Sequence, residues 1–164
     1  MPQTTSQKLA RAAMIAALYT TLTLLLSPLS YGAVQFRAAE ALTVLPFLMP
    51  EAVWGLTIGC FLSNLLGGAH YLDVIFGTLA TLSAALLTMR CRNKLLAIVP
   101  PVLINAVVVG AVITYTSAPA AFWVTFPAIM GSVGLGQAGV CVALGLPLLF
   151  GLEKLLTKVK RENP

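Results

Sequence analysis

The chain has 164 residues, 59% of them hydrophobic and only 9% charged, with a mean hydropathy of +0.93. A soluble domain carries roughly a quarter charged residues to cover its surface, so this composition excludes a cytosolic enzyme, a nucleic-acid reader and a disordered tail, and leaves an integral membrane protein. The formal net charge of +5 (10 minus 5) gathers at the ends of apolar blocks, a pattern of membrane orientation and not of nucleic-acid binding.

Charge-free intervals divide the chain into helices. Positions 12–36 form a first interval of 25 residues, enough for one span of about 20. The apolar run after Lys8 and Arg11 continues through Leu26 and no clean small-x-small cleavage site ends it, which predicts a retained first helix over 8–28. The next piece, 38–49, is bounded by Arg37 and by Pro50-Glu51. At about 1.5 Å per residue it is short for a bilayer, so it is either a half-buried helix or one that depends on protein neighbours. Glu51 and Asp73 bracket 21 residues and Asp73 and Arg90 bracket 16, predicting helices over 51–67 and 72–89. Lys94 and Glu153 bracket 58 residues, which fit two helices over 95–115 and 120–152. The turn between them is Tyr115-Thr116-Ser117-Ala118-Pro119-Ala120, where proline and small polar residues interrupt the apolar pattern. The expectation is an all-α, polytopic membrane protein: one domain over 1–164 with six transmembrane helices.

Parity orients them. Lys8 and Arg11 precede the first helix, Arg90, Arg92 and Lys94 follow the fourth, and Lys154, Lys158, Lys160 and Arg161 follow the sixth. These nine cations share one face only if even numbers of spans separate the clusters, which requires the short 38–49 segment to cross and predicts both termini in the cytoplasm. Arg37, Glu40, His70 and Asp73 then fall on the outer side, where ionisable groups in so charge-poor a chain are candidates for a functional site. Two other roles stand beside that one: Asp73 as a cap of the fourth helix, and Arg37 with Glu40, three residues apart, as an ion pair on one helix face.

Asn64, Asn105 and Gln137 lie within predicted helices. An amide in lipid needs a partner, so each makes a helix-to-helix hydrogen bond or lines a cavity. The aromatic residues Tyr31, Phe36, Tyr71, Tyr115, Phe122 and Trp123 also map to the outer side, as an interfacial belt or as stacking walls for a flat ligand. On the first helix, Ala12-x-x-x-Ala16 and Ala13-x-x-x-Ala17 make a smooth stripe that another helix can approach closely. Gly131, Gly134, Gly136, Gly139 and Gly145 repeat the theme on the sixth and invite bending or intimate packing. Cys60, Cys91 and Cys141 are odd in number and none stands at C-x-x-C spacing, so neither a disulfide nor a metal site is expected. A P-loop, H-E-x-x-H and G-x-S-x-G are absent from the sequence, and an enzyme is not indicated.

Several blocks resemble the QueT family: Gln35-Phe36-Arg37-Ala38-Ala39-Glu40-Ala41-Leu42-Thr43-Val44-Leu45-Pro46, then Gly59-Cys60-Phe61-Leu62-Ser63-Asn64-Leu65-Leu66-Gly67-Gly68, then Leu72-Asp73-Val74-Ile75-Phe76-Gly77-Thr78-Leu79-Ala80-Thr81, and Pro100-Pro101-Val102-Leu103-Ile104-Asn105-Ala106. Members are substrate-binding membrane subunits (S-components) of energy-coupling-factor (ECF) transporters, assigned to queuosine precursors. The resemblance implies a six-helix S-component bundle in the bacterial plasma membrane that binds a 7-deazaguanine from outside. It implies no cofactor in this chain, because ATP is used by two cytoplasmic partner ATPases acting through a transmembrane coupling subunit. The partners implied are thus that coupling module, the small-molecule precursor and the bilayer, with no nucleic acid. Substrate-binding residues are expected among Arg37, Glu40, Asn64, His70, Tyr71, Asp73, Asn105, Trp123 and Gln137. The stripe of Ala12, Ala13, Ala16 and Ala17 looks like the docking surface for the coupling subunit. Two alternatives stay open: an S-component for another vitamin-like molecule, and a structural or regulatory membrane subunit that binds no ligand.

Overall fold

The computed structural model describes residues 4–26 and 37–162, and all regular structure among them is helical. Helix α1 spans Thr5–Leu25, α2 Ala38–Phe47, α3 Ala52–Leu66, α4 Asp73–Met89 and α5 Leu96–Ser117. Helix α6 runs through Phe122–Val140, the π-wound turn Cys141–Gly145 and Leu146–Glu162. The six expected helices are therefore present; α1, α5 and α6 are long and apolar enough to cross a membrane, whereas α2, α3 and α4 are apolar but shorter.

Two limits differ most from expectation. Helix α1 begins at Thr5 and not at 8, because Thr4 Oγ accepts from Gln7 N at 3.4 Å while Gln7 Oε1 accepts from Thr4 N at 3.1 Å. That reciprocal cap satisfies the first-turn amides. The last two positions of the expected 8–28 helix lie outside the described residues. Helix α6 continues to Glu162 and not 152, since Glu153 marks only where the helix turns polar. The lysines and arginines that follow suit the negative end of its dipole.

The short α2 is the hub. It winds as a 3-10 helix whose residues Ala39 to Pro46 are all buried, and it packs against each of the other five helices. Of the two roles expected for this segment, dependence on protein neighbours is the one observed. At about 2.0 Å rise per residue its ten residues reach about 20 Å, against about 15 Å for an α-helix. Protein on every side holds a winding that rarely runs this long in isolation.

Around α2 the helices pack in the order α1, α3, α4, α5, α6, each against the next. Between α1 and α3 the approach is so close that a Cβ on Gly55 would lie 2.6 Å from Ala12 O, and one on Gly59 would lie 2.9 Å from Tyr19 Cβ and 3.0 Å from Ala16 O. Small residues on both helices thus mesh, the main route to association where lipid removes the hydrophobic driving force. Ile15, Tyr19, Leu42, Leu45, Val53 and Leu56 fill the core beside this seam. Large apolar side chains such as Leu9, Trp54, Leu103, Val124 and Leu135 face outward, as lipid-facing positions do. On α6, Gly134 lies against Ala106 and Gly145 against Val44 and the Ala41 carbonyl, whereas Gly131 faces open space, so close packing holds at those two glycines and not along the whole run.

Candidate functional site

Six of the nine residues expected at a binding site are drawn into one buried polar cluster by the convergence of five helices on α2. Arg37, Glu40, Asn64, Asp73, Asn105 and Gln137 are all buried. The cluster has two halves, joined through the first turn of α2.

In the first half, Arg37 Nη2 donates to Asp73 Oδ2 at 3.3 Å. The expected Arg37–Glu40 pair does not form: Arg37 is the N-cap of α2 with an extended backbone (φ −83°, ψ 99°), which sends its side chain toward α4. Asp73 likewise does not cap α4. The cap position is Leu72 and no side-chain cap bond is made, because the carboxylate is committed to Arg37. Asn64 Nδ2 donates to the Asp73 carbonyl at 3.2 Å, tying α3 to the π-wound start of α4. A Cβ on Gly77 would lie 3.0 Å from Asp73 Oδ1 and 3.3 Å from Asn64 Nδ2, so the absent side chain lets both groups approach the α4 backbone closely.

In the second half, Glu40 accepts from three neutral donors on three helices. Tyr19 Oη donates to Oε1 at 2.5 Å, and Gln137 Nε2 and Asn105 Nδ2 donate to Oε2 at 3.1 and 3.4 Å. Asn105 Nδ2 also donates to Gln137 Oε1 at 3.3 Å. Both of its contacts are to acceptors, which sets the orientation of the amide. Cys141, at the second π-wound turn, touches Gln137 and the Glu40 carbonyl through sulfur. Single π turns recur at functional sites, and here both border the cluster.

Three side-chain oxygens in this cluster, Asn64 Oδ1, Asp73 Oδ1 and Asn105 Oδ1, are buried with no hydrogen-bond partner. Each such atom carries a desolvation cost of about 1–3 kcal/mol unless something donates to it. All three are acceptors, so the cluster is chemically suited to a small molecule rich in N–H groups.

The remaining expected site residues lie elsewhere. His70 and Tyr71 are exposed at the turn before α4, their rings 4.4 Å apart, and Trp123 is 83% exposed at the start of α6 against Phe122. Tyr31 and Phe36 lie outside the described residues. Tyr19, Gly77 and Cys141 belong to the cluster but were not among the residues expected there. A tyrosine inside an otherwise apolar first span was the available signal for Tyr19.

The alanine stripe divides into two faces. Ala12 and Ala16 are buried against α3, whereas Ala13 and Ala17 are exposed. All four line a groove of about 1020 Å³ whose other walls include Trp54, Ile58, Leu62 and Leu156. Arg11 and Glu51, also in its lining, form an ion pair at 3.4 Å.

Residues 9–154 match the family model described as QueT transporter. The chain belongs to the QueT transporter family. The queuosine precursor transporter QueT of Lactococcus lactis subsp. cremoris (strain MG1363) is 44% identical over 72 residues, which cover 43% of this chain and 42% of that protein. The match therefore spans less than half the length of the curated relative. No solved structure matches the chain. Membership in a family of transporters accords with the apolar helices and makes the chain a membrane protein, not an enzyme.

Proposed function

We propose that the chain is the substrate-binding membrane subunit of an ECF-type importer and that it takes up queuosine precursors of the 7-deazaguanine class. Family membership and the name of the Lactococcus relative support the substrate class. The observation that carries the binding role is the set of three buried, partnerless acceptor oxygens on α3, α4 and α5. A guanine-like edge offers N1–H and an exocyclic amine, the donors those oxygens lack. A subunit that bound no ligand would be expected to pair its buried polar groups among themselves.

In this reading Arg37, Glu40, Asn64, Asp73, Asn105 and Gln137 form the site, Tyr19 holds Glu40, and His70, Tyr71 and Trp123 stand at the outer rim. The bundle crosses the membrane six times with both termini cytoplasmic. Energy comes from two ATPases through a transmembrane coupling subunit that docks on the exposed Ala13 and Ala17 face of the groove. Docking against small residues suits helix association in lipid. A body with few exposed charges also suits a subunit that reorients in the membrane, since each charge taken into hydrocarbon costs about 2.5 kcal/mol or more.

The test is a thermal-shift panel on the purified full chain with 7-deazaguanines, a pterin, thiamine and biotin. Saturating deazaguanine is expected to stabilise by about 2.7 kcal/mol at a hundredfold excess over Kd, with no shift from the others. Stabilisation by one of the other compounds, or by none, overturns the assignment.

A further inference from the structure

We infer that the basic end of α6 and the turn between α4 and α5 together bind an anionic membrane lipid, holding its phosphate among their cations and its acyl chains on the exposed apolar residues beside them.

The charges are gathered from two elements. On α6, Phe150, Lys154, Lys158 and Arg161 are spaced four, four and three apart, so they form one stripe along the helix, and all four are exposed. The α4–α5 turn meets this stripe: Lys94 Nζ is ion-paired with Glu153 and lies 4.7 Å from the centre of the Phe150 ring. Turn and helix thereby enclose two adjoining grooves of about 750 and 400 Å³, which share Phe150 and Glu153. Five cations line them, Arg92, Lys94, Lys154, Lys158 and Arg161, against the single carboxylate of Glu153. That surplus of four positive charges (five minus one) suits an anion, and arginine adds a planar fork of donors matched to phosphate oxygens.

The position of the grooves favours a lipid over an acidic protein surface. Residues 95–152 carry no charge, so the Lys94–Glu153 pair joins the two ends of an apolar hairpin built from α5 and the first part of α6. Both helices are long and apolar enough to cross a membrane. A hairpin that returns to the face it left marks with its two charged ends the boundary between hydrocarbon and headgroups. At that boundary Leu95, Leu96 and Phe150 are 65%, 49% and 50% exposed, in the same lining as Arg92 and Lys94. Apolar side chains turned outward at this level suit acyl chains, and clustered cations at the end of a membrane helix suit the headgroup those chains carry.

The experiment uses the purified full chain in dodecyl maltoside and reads bound molecules by native mass spectrometry in about 0.15 M ammonium acetate. The probes are dioctanoyl phosphatidylglycerol, dioctanoyl phosphatidylcholine and glycerol 3-phosphate. Phosphatidylglycerol is expected to bind at least about tenfold more tightly than either of the others. Arg92→Gln combined with Lys154→Gln is expected to bring it within about twofold of phosphatidylcholine. Lys8→Gln combined with Arg90→Gln removes as many charges outside these grooves and is expected to leave the preference in place. Should the first pair not fold, Lys158→Gln combined with Arg161→Gln carries the same expectation. Equal binding of the two lipids overturns the inference. Glycerol 3-phosphate binding as tightly as phosphatidylglycerol also overturns it, because the site would then take a free phosphate without chains. An equal loss in the Lys8 and Arg90 variant overturns it by reducing the attraction to overall charge. A preference that survives the groove variants overturns it too; if those variants nevertheless lose uptake in cells, the cations face an acidic protein partner.

Discussion

Tyr19 Oη lies 2.5 Å from Glu40 Oε1, so the first helix holds a carboxylate that belongs to the second. Tyr19 is fully buried, and its ring packs in the core beside Leu42 and Leu56. Tyr19→Phe keeps that packing and removes only the hydroxyl, leaving a buried carboxylate oxygen with one donor fewer. Destabilisation of about 1–3 kcal/mol is expected, read as a lower thermal midpoint in detergent, together with weaker ligand binding. An unchanged midpoint would mean that the hydroxyl contributes nothing to holding Glu40.

Gly77 is expected to matter for binding. Its φ is −65°, which any residue adopts, so a methyl group meets no backbone penalty. Its Cβ would nevertheless occupy the space 3.0 Å from Asp73 Oδ1 and 3.3 Å from Asn64 Nδ2. Gly77→Ala is expected to lose about tenfold or more in deazaguanine affinity. Retained affinity would place the ligand away from the Asp73 half of the cluster.

Much of this site was legible in the sequence because lipid makes polarity expensive. Asn64, Asn105 and Gln137 stand out among apolar neighbours, and the cost of an unpaired amide predicts that each finds a partner. Which partner is a different matter. Arg37 and Glu40 are three apart, and helical spacing suggests that they meet, but Arg37 is not helical and bonds across 36 positions to Asp73. Parity placed His70, Tyr71 and Trp123 on the same side as the cluster; parity gives a side of the membrane and not a depth within it. The 3-10 winding of α2 was likewise hidden, since it follows from enclosure by five other helices and not from its own residues.

The two alanine stripes of α1 should separate in their effects. Ala13 and Ala17 are exposed in the groove, so Ala13→Trp or Ala17→Trp is expected to leave ligand binding and thermal midpoint unchanged while abolishing uptake in cells that contain the coupling module. Gly59→Ala is the converse. Its methyl would sit 2.9 Å from Tyr19 Cβ and 3.0 Å from the Ala16 carbonyl, neither a flexible end, and a loss of roughly 1–3 kcal/mol of stability is expected from overpacking. Normal uptake by both tryptophan variants would remove the groove as a docking face.

Crossing by α2 can be decided by labelling. In a Cys91→Ser background the remaining cysteines, Cys60 and Cys141, are buried, so a membrane-impermeant maleimide reports only on cysteines introduced at exposed positions. Tyr71 and Trp123 are 65% and 83% exposed, and α4 and α5 separate them, which puts them on one side if both helices cross. Tyr71→Cys and Trp123→Cys are expected to react on intact cells. Lys158→Cys, in the last turns of α6, and Lys8→Cys, near the start of α1, are expected to react only after permeabilisation. Lys8 is the informative position, because α1, α2 and α3 lie between it and Tyr71. Three crossings put these two residues on opposite faces, whereas two put them together. Reaction of Lys8→Cys alongside Tyr71→Cys on intact cells would therefore leave α2 as a helix buried within the bundle that does not cross. The cations at residues 90–94 would then fall on the face opposite those preceding α1, against the orientation that positive charge imposes.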